Sequence, residues 1–282
     1  MKRLLFFVNP NAGHTEIRSS LMQVIQIFTA GGYEVTVHPT AGPRDLTRQI
    51  VERGADYDLI VCTGGDGTLN EATSGLMQLE HRPPLGYIPG GTVNDVASSL
   101  GLSRDPVVAA QDIVHGKPFA IDIGAFGENR WFDYVAAFGL FTNVPYQTPQ
   151  VDKRIWGRMA YFFNGVQALG EVHPVHARVS WAGKTVEADI IDGLVCSTTS
   201  VGGFKATRAV GEFGISMNDG LYEVVLIRDI KNLADFSAVA AKLLWMDFSD
   251  ENYFITAQTS AIRFEFDDPV AWTLDGEFGG AL

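Results

Sequence analysis

At 282 residues the chain has room for about two domains and a sizeable core. Hydrophobic residues supply 46% and charged residues 19%, a globular balance that excludes long disorder. The formal net charge of −12 excludes a global basic field for nucleic acid or an anionic bilayer, so any membrane docking has to rest on local patches.

The chain opens on MKRLLFFVNP, where a short basic head and an apolar run end at Asn9-Pro10, too early for a secretory signal. No stretch of about 18 apolar residues follows, so a soluble, cytoplasmic protein is expected. Short apolar runs bounded by Gly, Pro, Asn or Asp lie at 3–8, 33–38, 58–63 and 84–89. Between them, helix-period segments cover 15–30, 43–53 and 69–79, and a further helix is expected over 105–115, closed by Gly116. This alternation predicts an α/β domain over 1–125, a parallel sheet with helices on both faces.

Past residue 120 the texture changes. FAIDIG (119–124) alternates as a strand, and WFDYVAAFG (131–139) precedes an amphipathic segment at 154–169. HARVSWAGKTVEADI (176–190) reads as a hairpin turning near Ala182-Gly183. Strand runs follow at 192–198, 221–228, 261–266 and 270–276, interrupted by one helix at 233–248. A mainly antiparallel, β-sandwich-like domain is expected over 126–282. Cys62 and Cys196 fall inside apolar runs and are expected as reduced, buried thiols.

Three turns carry the chemistry. The strand at 58–63 runs into Gly64-Gly65-Asp66-Gly67-Thr68, where glycines let bare N–H groups approach a phosphate and the following helix adds its positive end. Asp66 is tolerated beside a phosphate only with a cation between them, which points to Mg²⁺–ATP. A second turn, Gly90-Gly91-Thr92-Val93-Asn94-Asp95, follows the strand at 84–89, and a third, Asn9-Pro10-Asn11-Ala12-Gly13, follows the first strand. Thr68 with Glu71, and Thr92 with Asp95, also have capping-box spacing and could simply start helices. Capping leaves the paired glycines and Asp66 unexplained, so nucleotide binding is the reading carried forward.

In this order the turns resemble the bacterial diacylglycerol-kinase family of lipid kinases, whose catalytic domain is shared with eukaryotic diacylglycerol, sphingosine and ceramide kinases. The resemblance spans nearly the whole chain: NPNAG at 9–13, GGDGTLNE at 64–71, PGGTVND at 89–95, IDIG at 121–124, GFK at 203–205, NDGL at 218–221 and LDGE at 274–277. It implies an ATP site lined by Asn9, Pro10, Asn11, Ala12, Gly13, Thr40, Gly65, Asp66, Gly67, Thr68, Leu69, Asn70, Glu71, Thr92 and Asp95. It implies that Glu277 takes the proton from the lipid hydroxyl, that Asp122 is an acid beside that centre, and that Ser216, Asp219 and Leu221 hold a structural Mg²⁺.

Read from spacing alone, Glu277 equally suits a surface acid after a D-G turn, Asp122 a structural acid in its strand, and Asp219 a turn residue. The family often has a basic residue soon after the Asn9–Gly13 turn and another after the Asn94-Asp95 pair, where this chain reads His14-Thr15 and Val96-Ala97-Ser98-Ser99. Aromatics at 131–141 and 159–166 offer an acyl slot or plain core, and Lys153, Arg154 and Arg158 a bilayer contact or a solvated helix face. The expected partner is a lipid at a membrane surface, met transiently, with no nucleic acid; a homodimer is left open. The other readings are a soluble NAD kinase, which GGDGT also fits, and a nucleotide-binding regulator without turnover.

Overall fold

The computed structural model describes residues 1–10, 16–139, 173–198, 200–201, 204–205, 216–245 and 247–282. They divide into two units, Met1–Asp133 and Tyr134–Leu282.

In the first unit, strands β1 (Lys2–Val8), β2 (Tyr33–Pro39), β3 (Leu59–Gly64) and β4 (Leu85–Pro89) pair in parallel in the order β2-β1-β3-β4. Successive residues of a strand face opposite ways, so β1 is apolar from Leu4 to Val8, the part covered on both sides. Leu4, Phe6 and Val8 pack with Val24 and Phe28 of α1 (Glu16–Ala30) and with Ala109 and Ala110 of α5 (Pro106–His115). The other face carries α2 (Asp45–Arg53) and α3 (Asp66–Leu76), which approach closely because Gly75 has no side chain: a Cβ there would lie 2.8 Å from Ile50 Cβ. Asp105 caps α5 by accepting from Val107 N and Val108 N. A short α4 (Asp95–Leu100) follows β4, and β5 (Gly124–Ala125) pairs with β6 (Trp131–Phe132).

The mouth of α2 is fixed by one carboxylate. Buried Asp45 accepts from Ala41 N (2.9 Å), His38 Nε2 (3.0 Å) and Arg48 (2.6 Å). An Arg53 guanidinium N–H donates to His38 Nδ1 at 3.2 Å; arginine can only donate, so the His38 proton sits on Nε2. These bonds, the Ala41 amide first, hold the Asp45 carboxyl well below the usual carboxylate range.

The second unit is built on an eight-stranded antiparallel sheet, as anticipated for a mainly antiparallel domain. Its path runs β13 (Phe254–Thr259), β12 (Tyr222–Arg228), β9 (Lys184–Cys196), β7 (Val135–Gly139), β15 (Ala271–Leu274) and β16 (Glu277–Ala281). β8 (Val175–Trp181) pairs with the first half of β9 and with β14 (Arg263–Phe266), and β10 (Ser200–Val201) pairs with β11 (Phe204–Lys205) apart from this sheet. β9 is long enough to serve β8 at one end and both β7 and β12 at the other. The β8–β9 hairpin turns at Ala182 (φ 44) and Gly183 (φ 78), both left-handed as a two-residue hairpin requires. Phe138 packs against Phe264, Phe266 and Trp272, and its ring lies where a Cβ at Gly193 would fall, 2.2 Å away. Helix α6 (Leu233–Trp245) covers Ile191, Ile227 and Phe254.

Several sequence expectations change. FAIDIG is not a strand up to Ile123; only Gly124–Ala125 pair, so Asp122 sits half-buried in irregular chain. Strands β13 and β16 were not anticipated: FITAQT is weakly apolar, and EFGGA carries two glycines. Helix α3 begins at Asp66, three residues earlier than its apolar period suggests. The segment at 154–169, with Lys153, Arg154 and Arg158, lies outside the described residues. Cys62 and Cys196 are buried free thiols, and burial pushes the Cys196 thiol up to about 12.

A group whose pKa is depressed by folding contributes stability above its unfolded pKa and loses it as pH falls through the folded value. Asp45→Ala is expected to lower stability by about 1–3 kcal/mol at pH 7. The gap between wild type and variant should begin to narrow below about pH 4 and keep narrowing as the pH falls further toward the depressed folded value. Urea melts across a pH series measure both.

Candidate active site

Parallel strands deliver their C-terminal ends to one edge of a sheet, and loops leaving that edge at a change of strand order frame a crevice. Here β1 connects to β2 on one side and β3 to β4 on the other, so the reversal lies between β1 and β3. The turns after these strands hold Asn9, Thr40, Gly65 and Gly91 at that edge.

They are bonded to one another. Asn9 N–H donates to Thr63 O (3.4 Å) and Asn9 Nδ2 to Thr68 Oγ1 (3.3 Å), joining the first turn to the second. Thr40 N–H is held by Val8 O at 2.9 Å. Gly90 N–H donates to Gly64 O at 2.7 Å, and the turns beyond come so close that a Cβ on Gly91 would lie 2.5 Å from Gly65 Cα. Asn94, buried and left-handed (φ 55), closes the assembly. Its side chain brackets Gly91, accepting from the amide at 3.0 Å and donating to the carbonyl at 2.7 Å, while its own N–H donates to Asp66 Oδ2 at 2.9 Å. The Tyr87 hydroxyl reaches Gly64 O (3.0 Å) and Asn94 Oδ1 (3.2 Å), and burial pushes its pKa far up, so it stays a neutral donor.

Neither capping box forms. Gly65 precedes α3 and Asn94 precedes α4, neither makes a side-chain cap, and Thr68 and Asp95 lie inside their helices. The residues of GGDGTLNE therefore divide by task. Gly65, Asp66, Gly67 and Thr68 form the turn and the first helical residues. Leu69 is core, Asn70 Nδ2 donates to Trp131 O at 3.1 Å, and Glu71 Oε1 accepts from the left-handed Arg44 N at 3.0 Å. Asp95 is buried at the start of α4, and Thr92 lies in the turn before it. Asn11, Ala12 and Gly13 lie outside the described residues.

In the second unit, Glu277 is exposed as the first residue of β16. It follows a two-residue turn, Asp275 (φ 49) and Gly276 (φ 86). Asp275 is buried; its carboxylate accepts from Tyr134 N (3.0 Å) and Val135 N (3.1 Å), and its own N–H donates to Val135 O at 2.9 Å. LDGE is thus a hairpin clamped to the start of β7, with Glu277 at its exit.

The loop before β12 carries Ser216, Asp219 and Leu221. Ser216 Oγ donates to Asn218 Oδ1 (2.7 Å), and Leu221 N–H to Asp219 Oδ1 (3.0 Å). Among the described residues no group of three His, Cys, Asp or Glu side chains is placed to hold a metal. This set offers one carboxylate, a hydroxyl and main-chain carbonyls, an all-oxygen combination suited to a hard cation.

Residues 3–126 match the family model described as diacylglycerol kinase catalytic domain. Over 284 aligned residues the chain is 34% identical to a diacylglycerol kinase of Bacillus subtilis (strain 168), covering 100% of this chain and 92% of the relative. It belongs to the diacylglycerol kinase family. A diacylglycerol kinase of Staphylococcus aureus (strain MRSA252) is 30% identical, with 100% and 88% coverage. The crystal structure of a diacylglycerol kinase from Bacillus anthracis str. Sterne superposes with a TM-score of 0.74 at 22% identity, covering 100% of this chain and 90% of that one. A further structure from that organism gives 0.81 at 23%, with 99% and 92% coverage. At these identities the structures attest the fold alone. Family membership makes the chain a phosphotransferase, a lipid kinase using a nucleotide.

Tyr87, Asn94 and Asp275 were not singled out from sequence. The signal for Asn94 was its place just before a helix after paired glycines; for Asp275 it was the D-G pair, which favours a left-handed turn.

Two outcomes follow from this geometry. Gly91→Ala forces the two turns apart and should reduce kinase turnover by about 100-fold or more, read in a steady-state assay. Asp275→Ala strands two buried amides and should cost roughly 1–3 kcal/mol in a denaturant melt.

Proposed function

We propose that this chain transfers the γ-phosphate of ATP to the hydroxyl of diacylglycerol or a related lipid at a membrane surface. The carrying observation is the pair of glycine turns locked face to face on the edge of the parallel sheet. The curated relatives bear the name diacylglycerol kinase, which supports the choice of acceptor. In this reading residues 1–125 bind the nucleotide, and 126–282 bind the lipid and contribute the base.

Phosphoryl transfer demands positioning and charge neutralisation rather than covalent help, and the residues suit that demand. Gly65, Gly67, Thr68 and Thr92, with Asn9 through Gly13 and Thr40, frame the phosphates with amides and hydroxyls. Asp66 and Asp95 supply carboxylate near them; Leu69, Asn70 and Glu71 act behind the turn, keeping helix and loop in place. The cradle suits a metal-bound triphosphate: it is bare backbone, and the nearby side-chain donors are hard oxygens. Mg²⁺, when bound, neutralises phosphate charge beside Asp66. Glu277 accepts the hydroxyl proton as that oxygen attacks the γ-phosphorus and the bond to the β-phosphate oxygen breaks, leaving ADP and a protonated carboxyl. Asp122 is the second acid of this proposal, and Ser216, Asp219 and Leu221 hold a structural Mg²⁺. No helix among the described residues is long and apolar enough to cross a membrane, in keeping with a cytoplasmic enzyme that visits the bilayer transiently.

Labelled ATP offered with a lipid panel in mixed micelles, and separately with NAD, tests the reading. Label on diacylglycerol or a close relative is expected; label on NAD alone overturns it. Glu277→Gln should lower kcat by about 10²–10⁴-fold while ATP affinity stays level. Undiminished turnover would remove Glu277 from the mechanism.

A further inference from the structure

The residues proposed to line the ATP site include three acids, Asp66, Glu71 and Asp95, and no lysine or arginine. The stretch just after Asn94-Asp95 supplies no base either, reading Val96-Ala97-Ser98-Ser99. A cation does reach this turn from further along the chain. Gly101 ends α4 in the left-handed conformation (φ 67), with Leu102 N–H returning to Ala97 O at 2.9 Å. The chain thereby doubles back past the six residues of α4, and the Arg104 guanidinium meets the Thr92–Val93 turn. One Nη donates to Val93 O at 2.6 Å and the other to Thr92 O at 3.5 Å.

Building on the ATP-dependent reading above, we propose that Arg104 is a positioning residue for the nucleotide phosphates, acting through the Thr92–Val93 turn. In a trans peptide the carbonyl and the following N–H point opposite ways. Holding both carbonyls on the arginine side therefore turns the Val93 and Asn94 amides away from it. Asn94 obeys this: its N–H is found on Asp66 Oδ2 at 2.9 Å. Val93 N–H is set by the same pair of bonds. Left to themselves, the two carbonyls would present partial negative charge beside an incoming triphosphate. Arg104 occupies them and adds a full positive charge. Because guanidinium is a planar fork, one side chain satisfies two adjacent acceptors; a lysine ammonium is a single point and reaches them less well.

Isothermal titration of ATP and of AMP into wild type, Arg104→Ala and Arg104→Lys tests this, together with KM for the lipid. Arg104→Ala is expected to weaken ATP about 10-fold, equivalent to about 1.4 kcal/mol, with Arg104→Lys in between. AMP, carrying fewer phosphates, should lose much less, and the lipid KM should not move. A merely structural role would weaken ATP and AMP alike and raise the lipid KM as well; that pattern, or an unchanged ATP affinity, overturns the proposal. Should Arg104→Ala fail to fold, Arg104→Lys decides by the same comparison, and ATP affinity equal to wild type overturns it. Wild type that binds ATP but labels no lipid sinks the lipid-kinase reading while the titrations still judge Arg104. Wild type that binds no ATP overturns both.

Discussion

Everything at the crevice edge of the first unit depends on two glycine turns being pressed together so closely that a Cβ on Gly91 would lie 2.5 Å from Gly65 Cα. Gly90 N–H to Gly64 O is a backbone bond between the ends of adjacent strands, so the turns inherit the rigidity of the β3–β4 ladder. Asn94 then converts proximity into register. A buried left-handed asparagine is costly unless its side chain and amide are both employed, and here the carboxamide brackets Gly91 while the amide goes to Asp66. Asp66 is held by the second turn as well as standing in the first, so a nucleotide would meet one surface rather than two loops.

The same device recurs at the other places where a loop must be exact. Asp45 takes the Ala41 amide, Glu71 takes the Arg44 amide, and Asp275 takes those of Tyr134 and Val135. A carboxylate accepting main-chain N–H bonds is stabilised in its charged form, and in return it ties down the loop that offers the amide. In a chain of net charge −12 the same contact accommodates two acids of the first unit's crevice edge, Glu71 on the Arg44 amide and Asp66 on the Asn94 amide. The Thr92–Val93 carbonyls of the same edge meet Arg104.

Strands β1 to β4 were legible to within a residue or so, because a buried parallel strand is a continuous apolar run with a turn residue at each end. The antiparallel domain was legible wherever alternation was strong, as in the β8–β9 hairpin. It was not where the strand is short or glycine-containing: β16, EFGGA, is formed because β15 and the Asp275-Gly276 turn present a partner. FAIDIG failed in the opposite sense: it has the right alternation, yet among the described residues only its Gly124, with Ala125, enters a strand ladder. The motif residues were all visible, but their division of labour was not. Nothing in the letters of GGDGTLNE says that Leu69 is core and that Glu71 reaches back to a loop before α2. Those facts belong to the packing of α3 on α2.

Two Asp-Gly pairs, Asp66-Gly67 and Asp275-Gly276, show why spacing could not separate acid roles. In the first the aspartate opens a helix and its glycine continues it; in the second both residues are left-handed and reverse the chain. Each aspartate accepts a backbone amide from a segment distant in sequence, so both are anchors. What differs is the residue delivered. After Asp66 the helix buries its next apolar side chain, Leu69, and keeps the turn's amides at the sheet edge. After Asp275 the hairpin places Glu277 on the surface, at a strand start that cannot shift without stranding the Tyr134 and Val135 amides. A general base needs a fixed position and an unspent carboxylate. Asp275 provides the first and, being committed to two amides, lacks the second, which is why the proposed mechanism gives the proton to Glu277.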